Sequence, residues 1–343
     1  MTPPEAVFQE GNLRTTRIRD LGLTIEGTRL EPLVARLETE LAAAGLTRVR
    51  PRVYLSDEWG VPFGTVAIGI PFYLARPDLV AIQEQQVGMV EGVTDADIMK
   101  YLRHEMGHVV SYAYRLYERE DWIRQFGSMT QPYLEDYRPK PFSRRYVRHL
   151  PGWYAQKHPD EDWAETFAVW LTPPPPDWRK TYANWTTALG KVEYCDRLMA
   201  ELREREPVVR SEELDVPVSE ITESLEEHYS HRNGQEPLPP GLEGALTAIF
   251  EDLGLPEDSR PEVVRKPAGG LIRRMERDVV ANVFRWTGHF PERTRPLVRR
   301  LAEMADTLKQ VYPADRESEA AVAITALVTA LAMNYVLRES YLP

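Results

Sequence analysis

Two histidines four residues apart, with a glutamate between them, are the residues of this chain best suited to chemistry. They lie in the sequence His104-Glu105-Met106-Gly107-His108. In an α-helix this spacing puts both histidines on one face, one turn apart, where their imidazoles can bind a single Zn²⁺. Glu105 can then lean over the ion as a general base. The alternative is a surface helix with two solvated histidines, and the flanking residues must decide between the two.

The flanking residues favour a buried helix. Thr94 and Asp97 have the spacing of a capping box, so a helix is expected to begin there. Apolar and aromatic residues then recur at helical spacing: Ile98, Tyr101, Leu102, Val109 and Tyr112. Buried polar groups without partners are costly, and a zinc ion would supply the partner. Gly107 costs about 1 kcal/mol relative to alanine inside a helix, a cost that close packing against a sheet would explain.

A zinc site of this kind needs a third protein ligand, with water in the fourth position. A third histidine six residues after His108 is excluded, because that position is Tyr114. The remaining arrangement takes a glutamate from a separate, later helix. His149 and His158 also lie nearby in the sequence, and we expect them to orient neighbouring groups or to lie at the surface.

The best candidate for that later helix spans residues 159–171. Pro159 favours the start of a helix, and the proline run at 173–176 ends it. Glu161 and Glu165 are four residues apart and share one face of this helix. One of them can therefore bind the metal while the other holds a ligand histidine. The spacing alone leaves open which glutamate has which role.

With these residues, the sequence resembles the gluzincin peptidases, in which the ligand glutamate lies four residues before a second acidic residue. The resemblance implies that Glu161 is the metal ligand. It also implies that Glu165 accepts a hydrogen bond from His104 or His108. The closest likeness is to the lethal-factor-like branch, whose helix also reads Glu-x-x-Ala-Glu.

That branch also has a tyrosine seven residues before the ligand, and Tyr154 occupies this position here. Its phenol stabilises the developing oxyanion, so the resemblance assigns this role to Tyr154. Tyr146 is the second candidate. The run from Val53 to Leu171 is also similar to a bacterial group known as "putative zinc-binding metallopeptidases".

Composition and charge narrow the class of protein. The chain has 343 residues, 43% hydrophobic and 28% charged, as is ordinary for a soluble globular protein. Its formal net charge of −11 argues against general binding to nucleic acid or to an anionic membrane. The single cysteine, Cys195, excludes an intramolecular disulfide and a cysteine zinc ribbon. Residues 1–20 lack the apolar stretch of a secretory signal, so a cytoplasmic location is expected.

The order of the predicted elements indicates an α+β fold. We predict a strand over 23–26, a helix over 30–44 and strands over 49–55 and 65–70, followed by the active-site helix. This is the order expected of a zincin-like catalytic domain, with a small mixed sheet, the active-site helix and a second ligand-bearing helix. In such folds an edge strand pairs with extended substrate. We assign this role to the strand over 65–70, with an ordinary interior strand as the alternative.

Three regions are predicted: a zincin-like metallopeptidase domain over 1–206, a proline-rich acidic linker over 207–240 and an all-α region over 241–343. The clearest linker signal is Pro237-Leu238-Pro239-Pro240. The all-α region is expected to contain four helices: Leu242–Leu253, Leu271–Trp286, Pro296–Val311 and Glu317–Arg338. The last is long enough to span a membrane, but its polar residues favour a buried bundle helix. This region could bind a protein partner or dimerise.

The segment between the two motif helices, 112–157, is rich in aromatic and basic residues. The basic residues are Arg138, Lys140, Arg144, Arg145 and Arg148. They could form a wall of the cleft that recognises an acidic substrate or a C-terminal carboxylate. Alternatively, they pair with the excess carboxylates of the protein itself.

The sequence therefore predicts a zinc-dependent peptidase with one Zn²⁺ per chain, acting on a peptide or protein substrate. His104, His108 and Glu161 would hold the ion, and Glu105 would be the general base. Two alternatives remain: a zinc-bearing binding or regulatory protein with a latent or inactive site, and a zinc hydrolase of a non-peptide amide.

Overall fold

The structure, a computed structural model, describes residues 13–87, 89–134, 137–230, 241–252, 264–338 and 341. These residues are mostly helical, which is compatible with the predicted α+β class. The strands are β1 (Arg52–Ser56), β2 (Ala67–Pro71), β3 (Arg265–Pro267) and β4 (Val311–Pro313). The helices are α1 (Leu30–Ala43), α2 (Pro77–Gln86), α3 (Asp95–Ala113), α4 (Glu120–Phe126), α5 (Pro159–Leu171), α6 (Trp178–Thr181), α7 (Thr186–Leu202), α8 (Leu225–Ser230), α9 (Leu242–Asp252), α10 (Ala268–Thr287), α11 (Pro291–Thr307) and α12 (Glu317–Arg338).

Helix α1 confirms the predicted helix over 30–44, and it packs on α3, the helix that contains His104 and His108. Its leucines at helical spacing are buried in the N-terminal core: Leu30, Leu33, Leu37 and Leu41. A buried ion pair adds to this packing, because Arg103 Nε lies 2.7 Å from Glu40 Oε2 and both side chains are less than a tenth exposed. The arginine directly precedes His104, so α1 supports the helix at its chemically important turn.

The small N-terminal sheet differs in part from the prediction. Strands β1 and β2 form near the predicted ranges and pair in parallel, with Arg52 opposite Ala67. The strand predicted over 23–26 is wrong, because these residues lead into a turn. The Thr28 amide and hydroxyl both donate to the Ile25 carbonyl, and the same hydroxyl accepts from the Leu30 amide at the start of α1. Local side-chain bonds of this kind compete with strand pairing.

Strand β2 does not offer a free edge at its centre. All five of its residues are buried. On the side away from β1, Gly69 donates to the Gly60 carbonyl at 2.8 Å and accepts from the Gly60 amide. Among the described residues this sheet contains only β1 and β2, so β2 is not flanked by strands on both sides. Its pairing with substrate stays a prediction.

Helices α3 and α5 cross at Gly107. A Cβ at this position would lie 2.7 Å from Cα of Ala164 on α5, closer than real contacts allow. The indole of Trp163 donates to the Gly107 carbonyl at 2.8 Å, which fixes the register of the two helices. The expected packing against a sheet is therefore wrong, since the surface that needs glycine is a second helix.

We expect the Gly107→Ala substitution to lower the free energy of unfolding by about 1–3 kcal/mol, because the added methyl group overpacks this crossing. Gly190 in α7 is the matched control, since a Cβ there meets nothing within 4 Å. Gly190→Ala should instead stabilise the protein by about 0.5–1 kcal/mol through helix propensity. Denaturant titration of both variants measures these changes, and equal effects would contradict the packing argument.

The described part of the predicted linker, 207–230, lies along the N-terminal half of the chain. The Val66 amide donates to the Ser211 carbonyl at 2.7 Å, and Leu225 and Tyr229 of α8 are buried in the N-terminal core. Residues 231–240, which include the Pro-Leu-Pro-Pro signal, lie outside the described residues. The domain limits at 206 and 240 stay a prediction.

The C-terminal region contains the four predicted helices, α9 to α12, around a hydrophobic core of its own. The third begins earlier than predicted, at Pro291, and the short strands β3 and β4 pair antiparallel beside the helices. Ala314–Arg338 has the length and mean hydropathy, 1.9, of a membrane span, and 33% of that apolar window is buried. Core helices of soluble proteins meet the same criteria, so the expected absence of a membrane stays a prediction.

Candidate metal centre

The two helices that cross at Gly107 also position the chemically important side chains. Helix α3 begins with the predicted capping box, in which the Thr94 hydroxyl accepts from the Asp97 amide at 3.1 Å. Helix α5 begins after His158, whose side chain accepts from the Asp160 amide at 3.2 Å, and has Pro159 in its first turn. The face of α3 that carries His104 and His108 packs against the first turns of α5, and these residues are buried.

Three potential metal-ligating atoms converge between these helices. His104 Nε2 lies 3.0 Å from Glu161 Oε2, and His108 Nε2 lies 3.3 Å from the same oxygen. The two Nε2 atoms are 3.2 Å apart. All three side chains are buried, and their ligating atoms lie within 4.8 Å of one another. The structure thus brings His104, His108 and Glu161 together as residues that could hold a metal ion.

The chemistry of this donor set fits a cation. His104 Nδ1 lies 3.0 Å from Glu165 Oε1 and can donate there, so the ring in its neutral form would present a lone pair at Nε2. The neighbours of Nε2 are a carboxylate oxygen and a second imidazole nitrogen. Burial lowers the pKa of His104, but hydrogen bonds to Glu161 and Glu165 outweigh it and raise the pKa to about 9. Positive charge is therefore favoured among these acceptors, as a divalent metal would provide.

Glu165 lies behind His104 and is fully buried. Its carboxylate accepts from the backbone amides of His149, at 3.1 Å, and Leu150, at 3.0 Å, as well as facing His104 Nδ1. Three partners hold its oxygens in place. Glu165 can therefore fix the orientation and tautomer of the His104 ring, the arrangement that raises the basicity of ligand histidines.

A second carboxylate has a similar relation to His108, which the sequence analysis missed. Asp160 Oδ2 lies 3.2 Å from His108 Nδ1, and the Tyr112 hydroxyl donates to the same oxygen at 2.5 Å. The available signal was the spacing of Tyr112, one helical turn after His108. Asp160 directly precedes Glu161 in the first turn of α5, where an acidic residue by itself indicates only the start of a helix.

Glu105 lies on the same helix as the two histidines and is 5% exposed. Burial raises the pKa of its carboxyl group, an effect that the adjacent histidines oppose. Among the described residues, none forms a hydrogen bond to this carboxylate. A buried carboxylate with a raised pKa and free oxygens is suited to accept a proton.

Two tyrosines lie beside the cluster. The Tyr154 ring centroid is 5.5 Å from that of His104, which places the tyrosine predicted from the resemblance beside the candidate ligands. Tyr133, which the sequence analysis missed, donates to Glu161 Oε1 at 2.5 Å and is 47% exposed. It lies between the two motif helices at no diagnostic spacing. Tyr146, the second candidate for the oxyanion role, instead has its ring centroid 4.4 Å from Lys191 Nζ.

Two other polar residues considered in the sequence analysis, His149 and Arg148, contact other groups of the protein. His149 Nε2 lies 3.0 Å from the Lys100 carbonyl, and burial lowers the pKa of its ring to about 4. Arg148 stacks on Trp153 and Trp185, with its guanidinium carbon 4.0 and 4.8 Å from the ring centroids. The described partners of the Arg148 guanidinium are therefore aromatic rings. Neither of the two predicted partners, an acidic substrate or a carboxylate of the protein, is needed to explain its position.

The crossing of α3 and α5 thus gives the protein a buried candidate metal site made of two histidines and a glutamate. Residues 69–229, somewhat less than half of the chain, match the family model described as "Putative zinc-binding metallo-peptidase". The match contains every residue of the cluster. No curated protein and no solved structure matches the chain.

Proposed function

We propose that the protein is a zinc-dependent peptidase of the gluzincin type. The observation that carries this proposal is the convergence of His104, His108 and Glu161 beside the carboxylate of Glu105, whose oxygens have no hydrogen-bond donor among the described residues. The family description supports zinc and peptide hydrolysis as the chemistry. One zinc ion per chain would complete the site.

Each of several residues has its own role in the proposed hydrolysis of the peptide bond. When bound, the ion would polarise the scissile carbonyl and make a water more acidic. Glu105 accepts a proton from the attacking water and returns it to the leaving amine. Tyr154 donates a hydrogen bond to the oxygen of the attacked carbonyl. Glu165 keeps the Nε2 lone pair of His104 directed at the cluster.

We further propose a peptide or protein substrate and a cytoplasmic location, without nucleic acid or membrane as a partner. The formal net charge of −11 supports the absence of a polyanionic partner. Cleavage of peptides in the cytoplasm is compatible with a single buried cysteine, Cys195.

Two measurements on the purified full-length protein test this function. Elemental mass spectrometry should find about one zinc per chain, and a fluorogenic unfolded protein should be cleaved. Removal of the metal with a chelator should abolish cleavage, and added Zn²⁺ should restore it. Bound zinc without any cleavage would favour the latent-site alternative, and no zinc even after reloading would contradict the proposal.

The two tyrosines give a sharper test of the mechanism. Tyr154→Phe is expected to lower kcat about 100-fold, because it removes a hydrogen-bond donor to the oxyanion. Tyr133→Phe is the matched control, and its effect on kcat should be much smaller, since its hydroxyl already donates to Glu161. Steady-state kinetics of both variants measure this. A larger loss of kcat in Tyr133→Phe would transfer the oxyanion role to Tyr133.

A further inference from the structure

We infer that the C-terminal helical region takes part in the proposed active site through Phe284, a positioning residue that holds the segment carrying Tyr154. This inference rests on the proposed function, in which Tyr154 is catalytic. The family match ends at residue 229, so it assigns no role to this region.

The segment in question is the short turn of helix Pro151–Gln156, against which α10 packs. Its backbone turns sharply through two left-handed residues, Gly152 (φ 77°) and Trp153 (φ 62°). A Cβ at Gly152 would lie 2.6 Å from Cε2 of Phe284. The phenyl ring thus occupies the space that the glycine leaves, two residues before Tyr154.

A left-handed conformation is unfavourable for a bulky residue such as Trp153, so neighbouring structure must hold it. The C-terminal region supplies one partner, since the indole of Trp153 donates to the Trp286 carbonyl at 3.4 Å. The N-terminal half supplies another through Arg148, which stacks on the Trp153 ring. The turn is held from both sides.

A second line of contacts reaches Tyr154 from the C-terminal region. Tyr137 donates to the Gly152 carbonyl at 2.6 Å. Its ring packs edge-to-face on Tyr154 on one side and on Phe290 on the other, at centroid distances of 6.4 and 6.1 Å. Phe290 in turn lies 5.8 Å from Phe284. The aromatic side chains therefore form a continuous contact from α10 to the ring beside His104.

Phe284 can be changed without removing a core residue of the C-terminal bundle. It is 8% exposed but does not belong to the hydrophobic cluster formed by its neighbours Val280 and Val283. Its ring is covered instead by the Gly152 turn and Phe290. Truncation of Phe284 should consequently loosen the turn more than the bundle.

A double-mutant cycle on the full-length, zinc-loaded protein tests the inference. Phe284→Ala is expected to lower kcat about tenfold with KM and zinc content unchanged, because a misplaced catalytic group costs rate. In the Tyr154→Phe background the same change should have little further effect, since the group it positions is already absent. Phe284→Leu should recover part of the loss. Trp286→Ala is the matched control, because its side chain on the same helix is 49% exposed and its carbonyl remains.

Hydrogen exchange of the same variants gives a readout that does not depend on activity. Phe284→Ala should speed exchange in residues 151–157, where the Lys157 amide bonds to the Tyr154 carbonyl, and Trp286→Ala should not. Equal losses of kcat in both backgrounds, or loss of zinc from Phe284→Ala, would overturn the inference. If the wild type cleaves no peptide, the proposed function fails separately. Hydrogen exchange then decides whether Phe284 holds the Gly152 turn. Unchanged exchange rates of residues 151–157 in Phe284→Ala would show that it does not.

Discussion

The Glu105→Gln substitution should lower kcat by about 100-fold to 10,000-fold while the protein keeps one zinc per chain. The amide has the shape of the carboxylate but cannot accept the proton of the attacking water. Glu105 is not among the three converging ligand atoms, so the metal should remain bound. Steady-state kinetics together with elemental mass spectrometry measure both quantities.

Glu118→Gln is a suitable control for this change. Its side chain is 57% exposed and lies beyond the end of α3, so neither activity nor zinc content should change. Retention of more than a tenth of the activity in Glu105→Gln would show that another group accepts the proton. Loss of zinc in that variant would mean that Glu105 is a ligand.

The second large effect is expected on zinc affinity, and it distinguishes the roles of Glu161 and Glu165 in α5. Glu161→Ala should lose the metal on dialysis, because it removes one of three ligands and leaves two imidazoles in a buried site. Glu165→Ala should keep the metal with an affinity lowered about 10–100-fold, since it acts through the His104 ring. Zinc titration with a competing chelator measures both affinities, and circular dichroism controls for folding. The reverse pattern would exchange the roles of Glu161 and Glu165.

Helical periodicity accounts for the parts of the candidate site that were predictable from sequence. The helix predicted over 159–171 is observed as Pro159–Leu171, because prolines mark both of its ends. The predicted capping box at Thr94 is present as well. Given two helices that present these faces to each other, His104, His108 and Glu161 meet without further information. That geometry does not by itself establish the metal or the reaction.

The parts that were missed depend on packing between distant segments. Tyr133 reaches Glu161 from a loop without regular spacing, so no periodic pattern marks it. The strand predicted over 23–26 rested on a short alternation that hydrogen bonds to Ile25 override. The docking of Phe284 at Gly152 joins residues more than a hundred positions apart, and a glycine alone gives no sign of its distant neighbour.

The ion pair between Arg103 and Glu40 affects which part of the chain can fold alone. A fragment restricted to the family match, 69–229, would begin inside β2 and would lack α1 entirely. Without α1, Arg103 would lose the carboxylate of Glu40, and the adjoining face of α3 would lose the leucines that cover it. The unpaired guanidinium would lie directly before His104. A fragment that includes α1 should therefore be more stable than one restricted to residues 69–229.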